Sequence, residues 1–416
     1  MKDKTSSKEN RDRLAGKEII HLAKMTKKVY RERGFTSLTQ RIIEYVKGVV
    51  EFYWFYFISG PIDILYVSGC PGGSKLYRCN NQAEELKLYG IKARIVSQNI
   101  FIFGKKIKKF KVFIFQRVVF NKHLKKILRM IKQEGKTVIF ETDDLVFDPQ
   151  YFSYMNHTMT AQEKKWYTNG IGREFLEDSY IKDCVVSTDY LKQAMLQKYP
   201  HKQVFVSYNK LNQKQIQWAN QALEKKDKIK VQDDKVRIGY FSGSKSHDKD
   251  FDVVKNALLK ILQENKNAIL VIVGYLKLSS DFETVKDQIE MKNFVSLKKL
   301  ATLILNCDIN LAPLEIANPF CQAKSGLKFF EAGILEVPTI ASATGSFKQL
   351  IKNGENGFLA ENENDWYKYL TALIKDKKLR SQIGETARKD SLKKHTTQQK
   401  HPVTKKYAEF LKSKIQ

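Results

Sequence analysis

A chain of 416 residues with 42% hydrophobic content is too long for one ordinary core. Two domains of roughly 150–200 residues each are expected, and wholesale disorder is excluded. The net charge of +28 leaves four readings: nucleic acid, an anionic membrane surface or an anionic small substrate as partner, or a solvated lysine-rich surface.

The charge recurs in every third of the chain, which favours the solvated surface for much of it. Cys70, Cys79, Cys184, Cys307 and Cys321 include no CxxC pair, and no histidine stands at zinc-ligand spacing. Reduced thiols are therefore expected, not a disulfide framework or a structural metal. The stretch MKDKTSSKENRDRL has no apolar core, so no signal peptide is expected.

Residues 1–60 read as a basic, aromatic helical extension. Its apolar run, 49–61, is about a dozen residues long and contains Glu51, whereas a spanning helix needs about 20. It either lies in a membrane interface or packs on the next domain. Residues 61–230 alternate strands and helices. IDILYVSG is a strand, CPGGSK a loop, LYRCNNQAEELKLYG a helix closed by Gly90, and KARIVSQ a strand. KVFIFQRV is a strand, NKHLKKILRMIKQEGK a basic amphipathic helix and TVIFETDDL a strand with its exit loop. CVVSTDYLKQAMLQKYP and QVFVSYN follow as strand–helix and strand. Lys, Gln and Asp dominate 211–235, which reads as a linker. The pattern restarts over 235–393, and 394–416 reads as a helical tail that crosses back to the first domain. The fold class is therefore α/β, with two Rossmann-like parallel sheets in tandem. No GxGxxG fingerprint is present, and CPGGSK fails as a Walker A motif because Lys75 follows Ser74.

Ligands of parallel α/β sheets collect at the carboxyl ends of strands. Three such loops carry suitable groups. In IGYFSGSKSHDKDFD, small residues including Gly243 and Ser244 precede Lys245, His247 and Lys249, just before a helix. Such a place favours a phosphate. In APLEIANPFCQAKSGLKFFEAG, Lys324 and Ser325 at a helix mouth suit a pyrophosphate. Glu331, two turns deeper, suits two ribose hydroxyls; the alternative is a surface pair with Lys328. In VIFETDDLVFD, Glu141, Asp143 and Asp144 emerge at a strand end, where acids orient a hydroxyl, bind a metal or cap the next segment. An acidic pair there is similar to the metal-binding DxD of the GT-A fold, but GT-A has one Rossmann-like domain and two are read here.

From VRIGYFSGS through SGLKFFEAGILEVPTIAS and FKQLIKNGENGFLAENENDW to LRSQIGETARKDSL, the sequence resembles the C-terminal domain of the family 4 (group 1) GT-B glycosyltransferases. SGCPGGSKLYRCNNQAEEL is similar to the glycine-rich first loop and helix of their acceptor domain, and VIFETDDLVFDP to a variant among cell-surface polysaccharide transferases. The resemblance implies two Rossmann-like domains across a cleft and retaining transfer from a nucleotide-sugar without an essential metal or cofactor. It implies a glycan or lipid-linked acceptor, and a cytoplasmic protein peripheral on the inner face of the plasma membrane. Nucleic acid is not implied.

Glu331 matches the second Glu of the E-x7-E motif, and Lys249 the lysine that contacts the donor pyrophosphate. Gly243, Ser244, Lys245, Lys324 and Ser325 complete the implied donor site. Gly72, Gly73, Arg78 and Glu141 are the implied acceptor-binding residues, and Asp143 and Asp144 the catalytic ones. Two departures stand out. The first motif Glu falls on Ala323, beside Gln322, and the arginine usual in the first loop falls near Ser244, so Lys324 or Lys245 would supply the charge. A nucleotide-sugar epimerase and a non-catalytic GT-B partner subunit share this architecture and are the rival readings. For the membrane, the aromatic run 52–57 and the basic stretch 101–117 are the candidate contacts; the counter-reading makes Phe101, Phe103, Val112, Ile114 and the 52–57 run core.

Overall fold

The computed structural model describes Val46, Val50 and residues 62–98, 104–154, 159, 161–231, 233–243 and 248–416. The aromatic run 52–57, Phe101, Phe103, Ser244, Lys245 and His247 lie outside the described residues. The chain divides into two compact units, Met1–Pro61 and Ile62–Gln416. Of the first, only two exposed helical valines are described. The second holds both sheets.

The first sheet comprises β1 (Ile64–Ser68), β2 (Ala93–Ser97), β3 (Val112–Gln116), β4 (Thr137–Thr142), β5 (Asp183–Val186) and β6 (Gln203–Val206), in spatial order β2-β1-β3-β4-β5-β6. The second comprises β7 (Val236–Ser242), β8 (Ala268–Gly274), β9 (Ile289–Lys292), β10 (Ile309–Ala312), β11 (Thr339–Ser342) and β12 (Phe358–Ala360), in order β12-β11-β10-β7-β8-β9. Every pairing is parallel. Residues of β1, β3, β5 and β7 are buried throughout, because helices cover both faces and the strands read as apolar runs. Val112 and Ile114 are thus core residues, not a membrane contact.

Each sheet reverses its winding once, between β1 and β3 and between β7 and β10. Loops leaving those strands diverge and open a crevice at the carboxyl ends. Both crevices carry the chemistry described below.

Helix α1 opens after the glycine loop. It is α-helical over Gly73–Lys75, a π turn over Leu76–Asn80, and α-helical again over Asn81–Leu86. Gly90, at φ 76°, ends it after one 3₁₀ turn. Helix α2 (Lys122–Gln133) is capped by the Asn121 side chain and buries Leu124, Ile127, Leu128 and Ile131. This i, i+3, i+4, i+7 stripe leaves Lys122, Lys125, Lys126 and Arg129 exposed. Helix α3 (Asp189–Lys198) follows β5.

The 211–235 segment is more ordered than its composition indicates. It contains α4 (Gln213–Leu223), started by a capping box between Asn212 and Gln215. Ile216, Ala219 and Ala222 pack into the core beneath the second sheet, next to Leu300, Ala301 and Ile304 of α6 (Leu297–Leu305). Helix α5 (Asp248–Glu264) follows β7, and α7 (Pro319–Ala323) and α8 (Leu327–Gly333) follow β10. Then come α9 (Gly345–Leu350), α10 (Glu363–Lys375), α11 (Lys377–Lys394) and α12 (Pro402–Ile415). The last returns to the first sheet. Tyr407, Ala408 and Leu411 join Ile64, Tyr66, Val112 and Ile114 in one cluster, and Phe410 stacks on Phe205 at 4.3 Å.

Candidate active site at the facing strand ends

The first half-site forms where β1, β3 and β4 end. Thr142 Oγ1 donates to the Asp144 carbonyl at 2.8 Å and accepts from the Asp144 N–H at 3.2 Å, fixing the acidic turn. Asp143 Oδ2 accepts from Ser74 Oγ at 2.6 Å, and Oδ1 accepts from Arg117 at 3.1 Å. The same guanidinium nitrogen lies 3.6 Å from Asp144 Oδ2, and its neighbour donates to Tyr167 Oη at 3.0 Å. Arg117 leaves β3 at φ 45°, a left-handed conformation that carries strain for a non-glycine residue. A Cβ on Gly69 would sit 2.2 Å from its carbonyl oxygen, so Gly69 is required for this approach.

Burial works to raise the Asp143 carboxyl, but Arg117, Ser74 and Arg78 outweigh it and hold the group below its ordinary range. Burial dominates at Asp144 and raises it; Arg117 offsets this only in part. Two adjacent carboxylates are thereby pushed apart in acidity.

Arg78 and Glu141 do not line the cleft. Both are fully buried, paired at 2.5 Å, and Arg78 also donates to the Ser207 carbonyl at 2.6 Å and Asn209 Oδ1 at 2.8 Å. Burial raises Glu141 to about 7, against the lowering effect of Arg78. The expected acceptor contact of these two is replaced by an interior ion pair. The π turn aims Arg78 at the sheet, where a strand-end carboxylate and two strand-end oxygens satisfy it. Gly72 and Gly73 form the exposed loop above, Gly72 at φ 73°.

The second half-site forms where β7 and β10 end. Lys324 Nζ donates to Asp250 Oδ2 at 2.8 Å, and Cys321 Sγ donates to Asp250 Oδ1 at 3.1 Å. Glu315 completes a group with Asp250 and Cys321 close enough to share a cation, but Lys324 already occupies the aspartate. Burial lowers the Lys324 ammonium, while Asp250, Cys321 and Asp144 of the opposite half-site raise it further, for a net upward shift. Lys328 Nζ lies 4.3 Å from the centre of the Tyr240 ring, and burial pushes its ammonium down to about 8. Glu331 Oε1 accepts from Tyr77 Oη at 2.5 Å, and that hydroxyl accepts from Gln215 Nε2 at 2.7 Å. Gly243 and Lys249 are exposed at the exit of β7 and the first turn of α5.

The halves also meet directly. Asn209 Nδ2 donates to Ser325 Oγ at 2.7 Å, and Thr188 Oγ1 donates to the Ala323 carbonyl at 3.2 Å. Beside this contact is a cavity of about 290 Å³ lined by Thr188, Tyr208, Asn209, Ser325, His395 and His401, among others. Burial and Lys394 push His395 down to about 4, so its imidazole is neutral at pH 7. At the ends of β8 and β9, Tyr275 and Phe294 stand exposed and stacked, ring centres 5.6 Å apart and planes 22° off parallel.

Sequence reading missed Ser74, Tyr77, Arg117 and Asp250, and named Lys328 only as a surface partner of Glu331. Lys328 was legible only as i, i+3 to Glu331. Arg117 closes the basic stretch 101–117, and Asp143, the acid it bonds, is 26 residues further on.

Residues 223–390 match the sequence model of "Glycosyl transferases group 1". That segment is similar to the group 1 glycosyltransferases and spans 168 of the 416 residues. Its two-sheet setting is GT-B. A glycosyltransferase of Rickettsia africae ESF-5 is 17% identical and superposes with a TM-score of 0.59, over 86% of this chain and all of that one. Anabaena Alr3699/HepE, solved with UDP-glucose, is 16% identical at 0.57, over 85% of this chain and all of that one. YtcC of Bacillus subtilis strain 168, named as a candidate glycosyltransferase, is 23% identical over 256 residues, which is 56% of this chain. The match spans 60% of the length of YtcC. The matched segment contributes α8 with its Lys324, Lys328 and Glu331, and the preceding sheet contributes the acids opposite.

Proposed function

We propose that the protein transfers a sugar from a nucleotide-sugar to a hydroxyl of a glycan or lipid-linked acceptor, with retention at the anomeric carbon, in cell-surface polysaccharide synthesis. The observation that carries this reading is the alignment of Lys324, Ser325, Lys328 and Glu331 at one strand end, facing Asp143 and Asp144 across the cleft.

On this reading Lys324, Lys328 and Lys249 neutralise the pyrophosphate. Ser325 and the exposed Gly243 at the exit of β7 lie beside it. Glu331 keeps its second oxygen for ribose hydroxyls, a contact that a carboxylate makes strongly. The Tyr275–Phe294 pair offers a π face to the base, where stacking contributes about 1–3 kcal/mol per base. The cavity beside Ser325 has hydroxyl, amide and neutral imidazole edges, which suit an uncharged sugar ring.

Asp143 and Asp144 orient the attacking hydroxyl, while the leaving phosphate of a front-face reaction takes its proton. Arg117 already stands between the two carboxylates, so the cation there is a guanidinium and no essential metal is proposed. Ala323 offers no carboxylate to the donor sugar, which leaves the lysines to set donor preference. The basic face of α2 gives a peripheral contact with anionic lipid.

The test is a thermal-shift screen of nucleotide-sugars followed by product analysis. A ligand at 100 times its dissociation constant stabilises by about 2.7 kcal/mol. Sugar is expected on added acceptor. Conversion of the nucleotide-sugar without acceptor would instead establish the epimerase.

A further inference from the structure

Tyr77 belongs by sequence to the first domain, yet its ring is buried in the core cluster beneath the second sheet, with Phe330, Ile334, Leu335, Ala219 and Leu211. Its hydroxyl ends on Glu331 of α8 at 2.5 Å and takes a hydrogen bond from Gln215 of α4 at 2.7 Å. Its neighbour Arg78 points the other way, to Glu141 on β4. The π turn Leu76–Asn80 lies across these two residues, and such turns recur at functional sites. One turn earlier, Ser74 of the same helix holds Asp143. A single helix therefore grips the acceptor-side acid and the donor-side carboxylate together.

We propose that Tyr77 is a positioning residue for the donor, pinning one oxygen of Glu331 so that the other stays aimed at the ribose hydroxyls, and that α1 thereby couples donor binding to the acceptor half-site. This rests on the donor-site reading of Glu331 given above. An unpinned glutamate must lose side-chain freedom when it binds; a pinned one has already lost it. The surroundings leave this role to Tyr77. The α6 residues near Glu331 are Leu297, Leu300, Ala301 and Ile304, and α4 presents Gln215, Trp218 and Ala219. Among the described residues, the cation that acts on it is Lys328 of its own helix. Burial raises the Glu331 carboxyl, and the Tyr77 hydrogen bond and Lys328 counter that rise. Removing the hydroxyl therefore moves ionisation of Glu331 to higher pH. Donor binding needs the ionised form, so its acid limb moves the same way.

The experiment is calorimetric titration of the full chain with UDP, GDP and ADP, carrying forward the tightest binder. Wild type, Tyr77→Phe, Glu331→Ala and the double variant are compared between pH 5 and 8. Tyr77→Phe is expected to weaken binding about tenfold, the size of one hydrogen bond to a charged group. Its acid limb should shift upward, and it should weaken binding no further in the Glu331→Ala background. General loss of fold would lower affinity in both backgrounds, so the cycle decides even if Tyr77→Phe is less stable. Equal or tighter binding by Tyr77→Phe, with Glu331→Ala impaired, overturns the role of Tyr77 alone. Wild-type affinity in Glu331→Ala, or no binding of any of the three nucleotides by wild type, overturns the donor reading and the role of Tyr77 with it.

Discussion

The exits of β4 and β10 face each other and use charge in opposite ways. Around β4, Glu141, Asp143 and Asp144 meet Arg78 and Arg117, three acids against two bases. Around β10, Lys249, Lys324 and Lys328 stand with Asp250, Glu315 and Glu331, three bases with three acids. In the first group the arginines pair with its own acids, and on the proposed reading Asp143 and Asp144 keep carboxylate oxygens to accept from a hydroxyl. The second brings three lysines to one strand end, which on the proposed reading serve a diphosphate. On that reading one cleft holds an alcohol and a dianion side by side because the acidic turn and the lysines lie on different sheets. On the proposed reading, a few lysines at one strand end, out of the Lys and Arg excess behind the +28 charge, bear on the chemistry.

The largest expected effect falls on the self-contained side. Arg78→Met leaves Glu141 buried without its partner, and breaking such a pair costs about 3–5 kcal/mol. Urea or thermal unfolding measures it. Adding Glu141→Gln should recover part of the loss, because a neutral amide tolerates the interior better. A stable Arg78→Met protein with impaired acceptor KM would restore Arg78 to the acceptor site.

On the other side, Lys324→Ala should lower kcat/KM for the nucleotide-sugar about 10–100-fold with little change in fold, since hydrogen bonds to charged groups are worth about 1.5–3 kcal/mol. An unchanged donor KM would break the comparison, since Asp250 alone would then use that lysine.

A smaller effect is pH dependence. Lys328 loses its charge as pH rises through about 8, so nucleotide affinity should fall over that range in wild type. Lys328→Met should bind more weakly at pH 7 and lose this limb. A limb that survives the substitution assigns it elsewhere.

The smallest effect is lipid contact. Each basic residue near an anionic surface contributes about 1 kcal/mol. Reversing Lys122, Lys125, Lys126 and Arg129 to Glu should reduce low-salt sedimentation with anionic vesicles. Identical sedimentation would remove α2 from that contact.

Much of this was legible in the sequence. The apolar runs ILYVS, VFIFQ and AILVIVG gave buried parallel strands because both sheet faces are covered. The placing of Lys324 and Glu331 at and after a loop–helix junction was legible because a junction after a strand is local. Helix α4 was not, because its buried face relies on small alanines set among Lys and Gln, a weak periodic signal. Arg78 and Arg117 were misread or missed for a different reason. A charged side chain does not show whether it will face solvent or an acid 63 or 26 residues away. Tyr77 is the extreme case: its partner Glu331 is 254 residues distant, on the other sheet's side of the cleft.

The most direct measurement is release of nucleoside diphosphate from a panel of nucleotide-sugars, with glycan and lipid-linked acceptors supplied, by wild type and by Glu331→Ala. At least one nucleotide-sugar should be consumed by wild type with transfer to acceptor, and Glu331→Ala should lower that rate about 10–100-fold at subsaturating donor. Consumption unchanged by Glu331→Ala, or no consumption of any donor by a folded wild-type protein, would contradict a donor site built on α8.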